Sequence, residues 1–319
     1  MDIDKLYLRR STWFLNPQLL RGSIITNMSK VNTKTNPPLI SISIPTFNSE
    51  KTIHHCLSSI INQSFPRVEV TIVDNYSADK TEEICRKYNC NFLKVVCGKA
   101  QARKIGFYHS KGDYILLLDS DMYLEKELLN ELISLIENHN LDAIIISEEY
   151  PPKSILHVAR NIEKKCYIEE SEIESPRFYR KTSLEHINWD DLDDGWDEYE
   201  IFLSSKIPKP KIGTSQKKIY LLEKPINLGK KFHHGKYLKL YKQKYYEKEK
   251  VATKQYNLGY RFRLLFKAFK VSYSYGSFLF IIKFLEMLSL YLGSLWSLIS
   301  TQNYKDKITG SRKYEKEGK

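Results

Sequence analysis

Between residues 39 and 146 the chain repeats one pattern: a short apolar run that ends on polar residues, followed by a stretch of helical period. Leu39-Ile40-Ser41-Ile42-Ser43-Ile44 reads as a strand closed by Pro45-Thr46-Phe47-Asn48. Ile53, Leu57, Ile60 and Ile61 then mark one face of a helix from about Ser49 to Gln63. Further strands are expected at 68–73, 92–96, 114–118 and 143–146, with helices at 78–88, 100–109 and 125–137 between them. Single helices between apolar strands impose an α/β fold, with a mostly parallel sheet covered on both faces and ligands bound beyond the strands' carboxyl ends. Three of those ends carry polar groups, at Thr46, Asp74 and Asp119.

The run Leu116-Leu117-Leu118-Asp119-Ser120-Asp121 is the most pointed of them. Alternate strand residues share a face, so both carboxylates reach into the same space. Hard oxygen ligands of this kind suit Mg²⁺ or Mn²⁺, with a nucleotide diphosphate completing the shell. Asp-x-Asp alone also arises wherever a strand runs into a polar turn.

Four motifs in order resemble the signatures of family 2 glycosyltransferases: Ser43-Ile44-Pro45-Thr46-Phe47-Asn48, Val70 through Asp74 to Thr81, Gly98-Lys99-Ala100-Gln101-Ala102-Arg103-Lys104-Ile105-Gly106, and Gly112-Asp113-Tyr114 through Asp121. The resemblance covers roughly residues 38 to 250. It implies a GT-A fold (Rossmann-like) and metal-assisted transfer of a sugar from a nucleoside diphosphate sugar. Carried over residue by residue, Pro45, Thr46 and Phe47 would line the base pocket, and Asp74 would accept a hydrogen bond from the base. Arg103 would lie near the diphosphate; Asp119, with Ser120 beside it, would approach the ribose or the metal; Asp121 would bind the metal. Asn75 stands where many relatives have a second acid, which weakens any statement about which base is read. Asp79 and Thr81 suit the start of a helix better than catalysis.

A second constellation packs seven acids into residues 190–200, a composition that also describes a solvated loop. Within it, Asp197-Glu198-Tyr199-Glu200-Ile201 is similar to the family's Glu-Asp-x-Asp/Glu-Leu motif with the first two acids exchanged. The resemblance places the general base on Glu198, with Asp197 as the alternative, and one carboxylate acting so gives inversion. Lys230-Lys231-Phe232-His233-His234-Gly235-Lys236 is similar to the family's histidine segment, which makes His233 the preferred third metal ligand, ahead of His234. An exposed basic loop without metal is the other reading.

Length allows one core of some 200–250 residues with an appendage. The expected divisions are an N-terminal extension over 1–36, poorly ordered, a catalytic domain over 37–250, and a basic, then apolar, helical region with a polar tail over 251–319. Residues before Met28 are an extension or a misassigned start. The net charge of +12 concentrates in 205–270, where 19 Lys or Arg face three acids. No nucleic-acid motif accompanies them, so an anionic membrane surface or a lipid-phosphate acceptor fits better than nucleic acid. The apolar stretch 271–299 holds Lys283 and Glu286 one helical turn apart, where they pair. It suits an interfacial or re-entrant helix, with a true span and a soluble helical subdomain or dimer contact as alternatives. Five cysteines without Cys-x-x-Cys spacing, and no secretory signal, favour a reducing, cytoplasmic setting.

The sequence therefore leads to an inverting, Mn²⁺- or Mg²⁺-dependent transferase, peripherally attached to a membrane, with a saccharide or polyprenyl-linked acceptor. A catalytically silent nucleotide-sugar-binding member of the fold and a polybasic membrane adaptor are the competing readings.

Overall fold

The computed structural model describes residues 37–168, 174–245 and 258–299. The expectations for 1–36 and for the tail beyond 299 fall outside those residues. From Pro38 onward the described residues form one compact unit.

Its centre is strand β1 (Ile40–Thr46), buried along its whole length. Ile40, Ile42 and Ile44 point to one face of the sheet, as period two requires. There they meet Leu116 and Leu118 together with helices α1 (Ile53–Ile61) and α4 (Leu128–Asn138). The opposite face packs Ile115 and Leu117 against Phe107, Trp189 and Ile201. Burial on both faces explains why β4 (Tyr114–Leu117) is a continuous apolar run rather than an alternating one.

The remaining strands are β2 (Val68–Asp74), β3 (Asn91–Lys94), β5 (Met122–Leu124), β6 (Ala143–Glu149), β7 (Phe178–Arg180) and β8 (Ile212–Leu221). Their order is β3-β2-β1-β4-β7-β6-β8-β5, in a GT-A-like arrangement. The segment β3-β2-β1-β4 is parallel, and so is the pair β6–β8. Pairings β4–β7, β6–β7 and β5–β8 are antiparallel, so the sheet is mostly parallel, as the sequence pattern suggested, with short antiparallel strands set into it. The short β5 and β7 return between longer elements and are too brief to show a period. Chain order reverses between β1 and β4, the switch point at which an open α/β sheet leaves a crevice.

Helices α2 (Thr81–Cys85), α3 (Lys99–His109), α5 (Ile155–Ile168) and α6 (Asp197–Ser205) complete the sheet region. Asp79 accepts hydrogen bonds from the Thr81 N–H and hydroxyl at the start of α2, the helix-terminal role its position suggested. Among the described residues three more helices follow: α7 (Leu228–Tyr245), α8 (Leu258–Val271) and α9 (Tyr273–Ile299). Residues 230–236 are thus helical, where a basic loop was one expectation.

Helices α7 and α9 cross at glycines. A Cβ on Gly235 would stand 2.0 Å from the Leu290 carbonyl oxygen, and one on Gly293 would stand 2.0 Å from that of Phe232. Both obstacles are backbone, so neither can yield as a flexible side chain would. Gly293→Leu should therefore force the helices apart and cost about 1–3 kcal/mol or more. Gly229→Leu, which meets only Asn227 Oδ1 at 3.6 Å, should cost far less. Thermal melts of the two variants test this, and equal melting temperatures would refute the tight crossing.

Candidate active site

The turn after β4 projects Asp119, Ser120 and Asp121, and it is held from both sides. Met122 N–H closes it on the Asp119 carbonyl at 3.1 Å, and Leu222 N–H, just past β8, binds the Asp121 carbonyl at 2.8 Å. Ser120 Oγ lies 2.8 Å from Ser49 Oγ.

Asp119 faces cations. Arg103 Nη2 is 2.6 Å from its Oδ1, Lys99 Nζ is 3.2 Å away and Arg177 Nη1 is 3.8 Å away. Burial would raise this carboxyl, but Lys99, Arg103 and Arg177 together hold it well below the usual carboxylate range. Asp121 is in the opposite situation. Its side chain makes no hydrogen bond or ion pair among the described residues. Burial, reinforced by the negative charges of Asp119 and Glu223, pushes it up to about 6.

Helix α6 brings the second pair of acids. Asp197 and Glu198 occupy its first turn, where the helix dipole favours negative charge. Arg103, 0% exposed, spans the two pairs: its Nε donates to Asp197 Oδ2 at 3.3 Å and its Nη1 to the Leu118 carbonyl at 3.2 Å. Lys99, one turn earlier on α3, also reaches Glu198 at 3.4 Å. Arg177, immediately before β7, donates Nη2 to Glu198 Oε2 at 3.0 Å and Nε to Glu148 Oε1 at 2.6 Å. Burial opposes ionisation of Glu148, yet Arg177 and Lys164 hold it at about 2. Charges this withdrawn from water persist because each has partners of opposite sign.

The acidic segment is more than a solvated loop. Asp194 accepts from the Ala100 N–H at 2.8 Å and so ties down the start of α3. A Cβ on Gly98 would lie 2.0 Å from Asp194 Oδ2, which is why this approach needs glycine. Farther on, Glu200 is fully buried, and burial pushes it up to about 7 against the pull of Lys244 at 2.8 Å.

At the other end of the crevice, the ends of β1 and β2 are stitched through Asp74. It accepts from the Thr46 hydroxyl at 2.8 Å, the Ser77 N–H at 2.9 Å and the Ser77 hydroxyl at 2.5 Å. Pro45 is a buried strand residue opposite Val73. Phe47 is 59% exposed and Tyr76 55% exposed beyond the same strand ends, with Lys94 Nζ 5.5 Å from the Tyr76 ring centre. These rings form an apolar surface beside a buried carboxylate.

Between the acid pairs and the C-terminal helices lies a cavity of about 280 Å³. Asp119, Asp197, Glu198 and Lys99 line one end, and Lys230, Lys231 and His234 line another part. His233 does not line it; its ring stacks edge-on with Tyr237 at 5.1 Å. The helical register turns His234 inward instead, against Trp196. Burial, with Lys231, Lys230 and Lys99 adding, lowers His234 well below the ordinary imidazole range. Among the described residues no three of His, Cys, Asp and Glu are grouped to hold a metal ion, so the set Asp119, Asp121 and His233 is not assembled.

Four further groups emerge that the sequence reading did not single out: Lys99, Glu148, Arg177 and Glu223. Only Lys99 had a local signal, since it lies i, i+4 from Arg103 and shares its helix face.

Residues 41–192 match the family model described as glycosyl transferase family 2. This region belongs to that family. A curated relative, the poly(ribitol-phosphate) beta-N-acetylglucosaminyltransferase TarS of Staphylococcus aureus, is 36% identical over 115 residues, 33% of this chain and 20% of its own length. An uncharacterized glycosyltransferase of Haemophilus influenzae is 34% identical over 112 residues, 33% of this chain and 45% of its own. The chain thus spans from a fifth to less than half of the length of these relatives. Among solved structures, the mannosyltransferase PcManGT of Pyrobaculum calidifontis, in complex with GDP-Man and Mn²⁺, superposes with a TM-score of 0.54. At 17% identity over 83% of this chain and 88% of that one, the likeness is one of fold.

Proposed function

We propose that this family 2 glycosyltransferase moves a sugar from a nucleoside diphosphate sugar to an acceptor hydroxyl with inversion at the anomeric carbon. One observation supports the reading most: Asp119 from the end of β4 and Asp197 and Glu198 from the start of α6 meet at one cavity, joined by Lys99, Arg103 and Arg177. The nucleoside lies over the ends of β1 and β2, its base against Phe47 and Tyr76. Three of roughly four acceptor positions on Asp74 are already taken, which leaves one for a base donor.

Asp121 suits a divalent cation, because it is an unpaired carboxylate facing two other acids. Asp121 would be the principal protein ligand of Mn²⁺ or Mg²⁺, while Asp119, engaged by Lys99 and Arg103, and Glu223, engaged by Lys230, are the poorer ones. When bound, the metal offsets negative charge on the leaving diphosphate. Arg103, fully buried, fixes the two acid pairs rather than touching the diphosphate. Glu198 accepts the acceptor hydroxyl's proton as its oxygen bonds to the anomeric carbon, and the bond to the diphosphate breaks with its electron pair leaving on the phosphate oxygen. Asp197 is the alternative base, but its side chain is only 6% exposed against 21% for Glu198.

The protein also attaches peripherally to a membrane, on its cytoplasmic side. Residues Tyr273–Ser297 of α9 are long and apolar enough to cross a bilayer. Its charged face is nevertheless turned into the protein: Lys283 and Glu286 pair at 3.1 Å and join Arg160 and Glu163 of α5 in a buried network. Ile281, Phe284, Leu288, Leu292 and Leu295 form an exposed stripe on the other side. A helix docked by one face and apolar on the other suits the interface plane.

The deciding experiment is a screen of nucleotide-sugar turnover with Mn²⁺ and Mg²⁺, beside co-sedimentation with vesicles containing anionic lipid. Turnover of one donor and salt-sensitive vesicle binding are expected. Binding without turnover would mark a catalytically silent member of the fold, and indifference to vesicles would remove the membrane reading.

A further inference from the structure

The cavity lies over the β7-β6-β8 half of the sheet. Glu148 of β6, Arg177 before β7 and Glu223 after β8 line it, whereas Thr46, Phe47, Asp74 and Tyr76 do not. The nucleoside proposed over β1 and β2 and the cavity thus occupy different halves of the crevice, which leaves the part of the cavity beyond Asp119 and Glu223 for the acceptor.

Its charged groups are nearly all matched. Lys164 pairs with Glu148 at 2.8 Å, Lys230 with Glu223 at 2.8 Å, and Arg160 and Lys283 share Glu163 and Glu286. Glu174 and Lys231 are the exceptions, and of the cations that line the cavity Lys231 alone makes no hydrogen bond or ion pair through its side chain among the described residues. The charges acting on it are Glu286, already held by Arg160 and Lys283, and the cations Lys283, Arg160 and Lys230. A partly buried ammonium among cations is costly unless an anion joins it. Lys231 also lies in the first turn of α7, where the helix dipole favours negative charge, although the Lys230 N–H is already capped by Asn227 Oδ1 at 2.9 Å.

We propose that the Lys231 end of the cavity binds a phosphate group carried by the acceptor. The assignment rests on the transferase reading, which is what makes the ligand an acceptor. Phosphate suits the place better than a carboxylate because its several oxygens accept from donors on more than two sides, here Lys231, Lys230 and the cavity edge of His234. A lipid-linked phosphate and a phosphate on a soluble or polymeric acceptor present the same oxygens.

The test uses the full chain with Mg²⁺ and titrates glycerol 3-phosphate by calorimetry, with glycerol as the blank. Wild type should bind, Lys231→Gln should bind roughly tenfold more weakly or worse, and Lys231→Arg should stay within a few-fold. Lys239→Gln, at an exposed position on the same helix, should match wild type. A short polyprenyl phosphate in neutral vesicles separates the sources: tighter binding than glycerol 3-phosphate names the lipid, and parity names the soluble phosphate. Equal affinity in wild type and Lys231→Gln overturns the proposal. So does displacement of glycerol 3-phosphate by saturating UDP or GDP, which would give Lys231 to the donor's own diphosphate. Wild-type donor hydrolysis is measured alongside: hydrolysis without phosphate binding removes this site alone, and Lys231-dependent phosphate binding without hydrolysis of any donor removes the transferase reading while the anion site stands.

Discussion

Glu198→Gln should lower kcat by at least ~10²-fold, and by as much as ~10⁴-fold, while the affinity for the donor changes little. The amide keeps the size and shape of the side chain but cannot take the acceptor's proton. Its position supports the assignment, since one oxygen is held by Arg177 at 3.0 Å and the other lies 3.4 Å from both Lys99 and Arg103 at the cavity wall. That same setting calls for a control. Removing a negative charge from among three cations also disturbs the network, so the variant's melting temperature and its nucleotide binding must be recorded beside the rate. A loss of kcat with nucleotide binding intact is the signature of a missing base. If Asp197→Asn gives that pattern and Glu198→Gln is close to normal, the base is one residue earlier. Normal turnover in both would mean that neither acid takes the proton.

Much of the sheet could be read from the sequence because its central strands are continuous apolar runs, and their period and polar ends survive in any context. β1, β2 and β4 lie within two residues of where the pattern put them. What the pattern did not carry was the antiparallel pairing of the short β5 and β7. β7 is three residues long, and its place beside β4 depends on pairing partners distant in sequence. Arg177 illustrates the consequence for the site. Nothing near it in sequence marks it, yet the β4–β7 pairing brings it to Glu148 and Glu198.

Side-chain direction was the other limit. The motif around residue 233 fixed the histidine pair but not which member faces the cavity, and the helical register of α7 turned His234 inward. Arg103 shows the same limit from within a recognised motif. Its motif suggested proximity to the diphosphate, and what the motif did not carry is that the buried guanidinium also braces Asp119 against Asp197. The i, i+3 spacing of Lys283 and Glu286 did report a real pair, because neighbours on one helix face need no tertiary information to meet. Only the fold, however, reveals that the pair faces Arg160 and Glu163 and leaves the apolar stripe outward.

Asp121→Asn should separate stability from function with opposite signs. Its backbone is anchored through the Leu222 N–H, so the turn should survive the change. The carboxylate itself has no partner among the described residues and faces Asp119 and Glu223. Replacing it with a neutral amide relieves that repulsion, and without metal the variant should be about 1 kcal/mol more stable, a rise of roughly 2–4 °C in Tm. Turnover should nevertheless fall by roughly 10³-fold or more, since the metal's several kcal/mol of charge stabilisation would lose its principal protein ligand. Mn²⁺ should raise the Tm of wild type in the presence of nucleoside diphosphate and leave that of Asp121→Asn unchanged, because only a site that binds the ion transmits its binding energy to the fold. A variant that keeps both the Mn²⁺-dependent shift and the rate would show that Asp121 is not the metal's ligand. A variant that loses activity together with several degrees of Tm would show instead that the carboxylate is a structural element of the turn.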